Sequence, residues 1–151
     1  MGTIDRFYTA FARHDGAAMA ACYADDAQFS DPVFPRLDAE GARAMWRMLV
    51  AAGPDLRVTH RVLEEGAGHA RCRWEARYTF GPARRPVHNI VHAEFVLRDG
   101  LIVRHRDRFP FWRWSRQALG ATGLFFGWTP LLRRSVQRSA ARSLARARGA
   151  A

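Results

Sequence analysis

Three side chains stand where their types and spacing could do chemistry: Asp31 in ADDAQFSDPVF (24–34), and His105 with Asp107 in HRDRF (105–109). Asp31 lies between Phe29 and Phe34 and directly precedes Pro32. A carboxylate facing apolar groups holds its proton more tightly, and a general base works best when its proton affinity approaches working pH. The same position also suits a turn cap, because proline forces the preceding residue into an extended conformation and an aspartate oxygen accepts from backbone N–H groups just ahead. Both roles are open. His105 and Asp107 are two residues apart, so on a strand they share a face and can bond each other. Such a pair is either a structural contact or an acid–base dyad in which the aspartate fixes the imidazole tautomer.

The elements that position these residues follow from periodicity. TIDRFYTAFARHD (3–15) has apolar residues at 4, 7, 8 and 11, the spacing of an amphipathic helix with Thr3 as N-cap. GAAMAACYADD (16–26) reads as a second, short helix with Met19, Cys22 and Tyr23 inward, followed by a short strand from Asp26 to Phe29. DAEGARAMWRMLVAAG (38–53) is a third helix, with Asp38 as N-cap, Met45, Met48 and Leu49 on its inner face, and Gly53-Pro54 as its stop. From residue 55 the period changes to two, and 55–66, 69–81, 87–100 and 101–114 read as four strands. Asp99-Gly100 signals a tight hairpin. Helices followed by an antiparallel meander make an α+β arrangement.

Alternation assigns the faces. In 71–80, Cys72, Trp74, Ala76, Tyr78 and Phe80 oppose Arg71, Arg73, Glu75 and Arg77. In the last strand Val103, His105, Asp107 and Phe109 oppose Arg104, Arg106 and Arg108. Arginine rows mark solvent or an interface, so His105 and Asp107 should face the helices and need partners there.

At 151 residues and 48% hydrophobic, the chain can bury a real core. Residues 1–23 hold no apolar h-region, and no apolar run reaches the roughly 18 residues of a membrane span, so a cytoplasmic protein without a transmembrane segment is expected. Cys22 and Cys72 lack metal-ligand spacing and are expected to be buried thiols. All 24 cationic residues are arginine. Residues 1–100 balance 13 Arg against 13 acidic residues, whereas 101–151 hold 11 Arg and one acid, Asp107. The net charge of +10 therefore sits in the last third. Basic tails of this kind attract nucleic acid, anionic lipid or acidic partners.

Three helices, a curved sheet and ADDAxFxDPVF together resemble the nuclear-transport-factor-2-like superfamily, which includes ketosteroid isomerases, SnoaL-like polyketide cyclases and limonene epoxide hydrolases. The resemblance covers roughly residues 4–115. It implies a cone-shaped fold over 1–115, followed by an aromatic and Arg-rich helical extension over 116–151. The whole chain is similar to uncharacterised bacterial members that also carry MWRML, HRDRF, WRW and GWTP. Likeness to the EDPVG segment of ketosteroid isomerases implies that Asp31 is the general base. The isomerase's oxyanion-hole tyrosine matches Phe7, with Tyr8 next to it, and its protonated aspartic acid matches about Ala93, so steroid isomerisation in its known form is not expected. HRDRF is similar to WRDYF of limonene epoxide hydrolases, which matches Asp107 to a catalytic aspartate. Their arginine–aspartate pair has no counterpart, because Trp74 and Ala76 are the inward residues of 71–78.

These readings combine into one expectation: a hydrophobic small-molecule pocket, with Asp31 as base and His105 with Asp107 as proton relay or water activator. Phe7, Tyr8, Trp46, Trp74, Tyr78, Asn89, Phe95 and Phe109 would be its walls. Neither cofactor nor metal is expected, and the chemistry would be isomerisation, cyclisation or epoxide opening. His88, His92 and Glu94 fall on the outer sheet face, where a homodimer contact or solvent is expected rather than a metal; His60 and His69 are expected at the surface. The alternative is a non-catalytic ligand-binding or assembly module. Nucleic acid is not an expected partner, the basic tail being the only segment suited to it or to a membrane surface. The seven aromatics between Phe109 and Trp128 are too many to leave in water, and should fold over the pocket mouth or a dimer partner.

Overall fold

The structure, a computed structural model, describes residues 1–149. The helical spacing of Ile4, Phe7, Tyr8 and Phe11 produces α1 (Thr3–Ala12), which buries all four on one face. Gly2, not Thr3, occupies the N-cap position. The cap is instead remote: the N–H groups of Thr3 and Ile4 donate to the Glu65 carboxylate at 2.9 and 3.3 Å, and the Thr3 hydroxyl donates to the Gly100 carbonyl. A carboxylate at a helix N-terminus satisfies orphan donors and complements the helix dipole.

α2 (Gly16–Ala20) is capped by Asp15, whose Oδ1 accepts from Ala18 N–H. It is shorter than expected, because Tyr23 already belongs to β1 (Tyr23–Ser30). The backbone there pairs with the last strand, and this tertiary pairing overrides the helical tendency of an alanine-rich stretch. A two-residue β2 (Leu37–Asp38) leads into α3 (Ala39–Ala52), with Asp38 Oδ1 accepting from Gly41 N–H at 2.7 Å as expected. The buried stripe of α3 runs through Ala42, Met45 and Trp46, and Met48 and Val50 are only partly covered. Leu49, expected inward, is 38% exposed.

β3 (Arg57–Glu65), β4 (His69–Phe80), β5 (Arg85–Arg98) and β6 (Leu101–Arg108) form the meander. The six strands lie in the order β2-β1-β6-β5-β4-β3, all antiparallel except the parallel pair β1–β6. Asp99 and Gly100 both have positive φ (53° and 74°), which the right-handed twist of a two-residue hairpin requires. Val96 faces Arg104 while Leu97 faces Ile102, so Val103 is an extra, bulged residue. Ile102 therefore takes the buried place expected for Val103, and alternation beyond the bulge turns His105 and Asp107 inward as expected.

β6 stops at Arg108, not at Trp114. Pro110 has no N–H for a ladder and starts α4 (Phe111–Leu119), which is followed by α5 (Ala121–Phe126) and α6 (Pro130–Gly149). Gly123 allows α5 to cross α4 closely, since a Cβ there would overlap the Ser115 carbonyl. This extension folds back on its own chain. Leu144 of α6 is buried in the main core, and Gln137 Nε2 donates to the Pro32 carbonyl at 3.0 Å. Among the described residues, no helix is long and apolar enough to cross a membrane.

Candidate active site

The site residues divide into a closed centre and a partly exposed edge. At the centre, His105 is 0% exposed and ringed by aromatics: Phe95 (4.2 Å between ring centroids), Phe29 (4.9 Å), Phe7 (5.7 Å) and Trp46, stacked at 14° (5.9 Å). Tyr8 and Trp74 pack against the same group. Register explains the gathering, since Phe29 of β1 and Phe95 of β5 flank His105 on either side.

A chain of hydrogen bonds crosses this centre. Trp46 Nε1 donates to the Tyr23 hydroxyl (2.8 Å), which meets His105 Nδ1 (2.6 Å), and His105 Nε2 meets Asp107 Oδ1 (2.8 Å). Indole nitrogen only donates, so Tyr23 keeps its own proton for His105 Nδ1. His105 then carries its proton on Nε2 and donates to Asp107, which also accepts from Trp74 Nε1 at 3.5 Å. Every member is satisfied in this direction. Burial holds the Tyr23 phenol well above its ordinary proton affinity. The Tyr8 hydroxyl is the exception. It is fully buried without a hydrogen-bond partner among the described residues, and burial together with the Asp107 charge raises its proton affinity well above the ordinary value.

A second, partly exposed group is built around Asp31. Its backbone N–H donates to the Phe34 carbonyl, and its Oδ1 accepts from the N–H groups of Val33 (2.7 Å) and Phe34 (2.5 Å). The turn-cap reading is therefore correct, and it uses one oxygen. Oδ2 has no hydrogen-bond partner among the described residues. β1 pairs Ser30 with Arg106 of β6, and one further step in that parallel register brings Asp31 alongside Asp107. Asp31 is pushed up to about 7, first by burial and then by the negative charge of Asp107, against the two backbone N–H groups and Arg133.

Tyr78, Asn89 and Phe109 belong to this end. Tyr78 lies beside Val87, and Asn89 two residues further along β5 points to the same inner face. The Tyr78 hydroxyl accepts from Trp114 Nε1 at 2.9 Å, and burial raises its proton affinity, with the Asp31 charge adding to the effect. Phe111 and Trp114 of α4 cover Val87, Tyr78 and Phe80, while Phe109 and Val33 bridge to the core. A groove of about 480 Å³ runs between the 33–37 turn and α6.

Sequence reasoning missed Tyr23, Phe29, Trp114 and Gln137. The signal for Tyr23 lay in its spacing to Ala27 and Phe29, which is a strand period; Trp114 was hidden by extending β6 past Pro110. On the outer face, His88 Nε2 bonds Glu75 at 2.7 Å, and no cluster of three metal-ligating side chains occurs among the described residues. His69 is exposed and bonds Glu64. His60 is only partly exposed, because it stacks on Tyr8 and bonds Asp5 of α1. Both cysteines are buried free thiols; burial pushes Cys72 up to about 12.

A curved sheet packed on three N-terminal helices, with a polar chain through an aromatic interior, is the cone fold of nuclear-transport-factor-2-like and ketosteroid isomerase-like proteins. The chain belongs to the SnoaL-like domain family, whose model matches residues 4–105. Among solved structures it is similar to IdmH of Streptomyces antibioticus, a candidate polyketide cyclase (25% identity, TM-score 0.62, 82% of this chain and 96% of that one). It is also similar to a protein of ketosteroid isomerase-like fold from Catenulispora acidiphila in complex with trimethylamine (17% identity, TM-score 0.67, 85% and 97%). A third is an LEH-like epoxide hydrolase of M. tuberculosis (18% identity, TM-score 0.61, 82% and 92%). Comparison with proteins of curated function gives no match.

Proposed function

We propose that the protein is a cofactor-independent acid–base enzyme acting on a hydrophobic small molecule, with Asp31 taking and returning the proton. The observation that carries this reading is the asymmetry of the Asp31 carboxyl. Oδ1 is locked by two backbone N–H groups, while Oδ2 is left to a substrate and proton affinity is lifted to near neutrality. A base so placed removes a proton from carbon next to a carbonyl. The C–H electron pair moves onto the carbonyl oxygen as an enolate, and Asp31 returns the proton at another carbon or to oxygen. This step is common to isomerisation and ring closure.

The developing oxyanion needs donors, and neither Phe7 nor Ala93 supplies one. Tyr78 does: its oxygen accepts from Trp114, which leaves the phenol proton for a ligand. The Asn89 amide is a second donor on the same inner face. Asp107 and His105 do not reach substrate in this reading; they are positioning residues, Asp107 through the charge that raises the proton affinity of Asp31 and His105 through the hydrogen bond that holds Asp107. Epoxide opening is the weaker form of the proposal, since Trp74 stands where an arginine would be needed.

The test is exchange of α-protons in hydrophobic β,γ-unsaturated ketones and β-keto esters, followed by NMR in D₂O. The expected result is exchange whose rate rises with pH to a plateau above about 7, and which is lost in Asp31→Asn. Unchanged exchange in that variant removes Asp31 from the mechanism. The enclosure of His105 favours a second reading, a binding module with a purely structural polar chain. Tight ligand binding without exchange in either protein would establish it. A homodimer through the outer sheet face, with its exposed Val96 and arginine rows, belongs to this proposal and is checked by sedimentation.

A further inference from the structure

The apolar surface and the charge of the C-terminal extension fall together. No carboxylate side chain follows Asp107, and GATGLFFGWTPLL (120–132) has no charged residue, while Arg113, Arg116, Arg133 and Arg134 flank it. Six large apolar side chains between 112 and 131 stay outside the core: Trp112, Leu124, Phe125, Phe126, Trp128 and Leu131, the last two 75% and 76% exposed. Within the single chain, Phe111 and Trp114 are the buried members of the seven aromatics, packed with Ala118 of α4 over Val87, Tyr78 and Phe80, while Phe109 is partly covered and α5 is too short to reach the core with its own rings.

The polar handles of this patch are turned inward. Trp128 Nε1 donates to the Phe125 carbonyl at 3.0 Å, and Trp112 Nε1 to the Leu124 carbonyl at 3.1 Å. The backbone closes its own bonds from Gly127 to Gly123 and from Thr129 to Phe126. What faces outward is hydrocarbon and aromatic ring, bordered by the exposed Arg116, Arg133 and Arg134, whereas Arg113 is half-buried and donates to the His88 carbonyl at 3.2 Å. Arg133 and Arg134 make no ion pair with a carboxylate among the described residues.

We propose that this surface docks on an anionic lipid bilayer, with α5 and the start of α6 at the headgroup–acyl boundary and Arg116, Arg133 and Arg134 on lipid phosphates. Apolar side chains entering that boundary and cations on the anionic surface are the two contributions that hold an interfacial helix. Charge decides against a second copy as the occupant, since two such segments would meet arginine to arginine with no carboxylate between them. Nucleic acid would match the arginines but leave Leu124 and Leu131 unused.

The test is co-sedimentation of the full chain with vesicles of phosphatidylcholine alone or mixed with phosphatidylglycerol. Binding to the mixed vesicles is expected, weakening about fivefold for each arginine contact removed and fading in high salt. The double variant Phe125→Ser, Trp128→Ser should bind about tenfold less or worse with its melting temperature unchanged, because both side chains are mostly in water already. Absence of binding to the mixed vesicles overturns the proposal. So does equal binding by the double variant, which would reduce the contact to charge alone. Loss of a dimer in that variant would give the patch to a second copy. Loss of tighter binding to single-stranded DNA in that variant would give it to nucleic acid.

Discussion

Replacing Asp31 with asparagine should stabilise the fold, by an amount that grows with pH. The amide keeps an oxygen for the Val33 and Phe34 N–H groups, so the turn persists. The substitution removes a carboxylate that folding partly strips of water. Burial, helped by the Asp107 charge, lifts this carboxyl from 3.8 to about 7. A carboxyl whose proton affinity rises on folding favours the native state while protonated. Its contribution is complete below pH 3.8 and is lost as pH climbs through about 7. At about 1.4 kcal/mol per pH unit, that span amounts to about 4 kcal/mol. For a chain of this size the difference in Tm between variant and parent should widen by about 10 °C from pH 4 to pH 8. Urea midpoints of both proteins, taken at half-unit steps of pH, measure it, and titrations of groups distant from Asp31 cancel in the difference. Parallel stability curves would refute the reasoning, as would a variant that loses ground above pH 7. The first would mean a solvated carboxylate, the second one that the fold stabilises.

Two further substitutions test the centre. Tyr8→Phe deletes a buried hydroxyl that has no partner among the described residues and should raise stability by about 1 kcal/mol, read from a shifted urea midpoint at constant slope. His105→Leu strands the Tyr23 hydroxyl and the Asp107 carboxylate and should cost about 3–5 kcal/mol, whereas adding Asp107→Leu should recover much of that loss.

The fold was legible because periodicity and turn chemistry agreed almost everywhere. The alternation of β4, the Asp38 cap and the Asp99-Gly100 hairpin are local features, and each appears as read. Illegible features depended on distant chain. Thr3 lost its cap role to Glu65, which lies 62 residues away. Tyr23 joined a strand because β6 pairs with it. The bulge at Val103 left no mark in composition, yet it sets which of Ile102 and Val103 is buried. For the site, the sequence brought His105 and Asp107 together through spacing alone, and the turn role of Asp31 followed from Pro32. It could not show that Tyr23 and Trp46 complete the polar chain, nor that Trp114 covers Tyr78, because those contacts join elements far apart in sequence.

The long reach of these contacts orders events in time. The Tyr23–His105 bond spans 82 residues and the Gln137–Pro32 bond spans 105. Closing such loops is the slow part of folding. A chain emerging from the ribosome holds Asp31 long before it holds Asp107 or α6. Until β6 arrives, β1 has only the two residues of β2 as a partner, and its inner edge is open to pairing with other chains. The turn that carries the carboxylate is among the first segments made and among the last to find its neighbours.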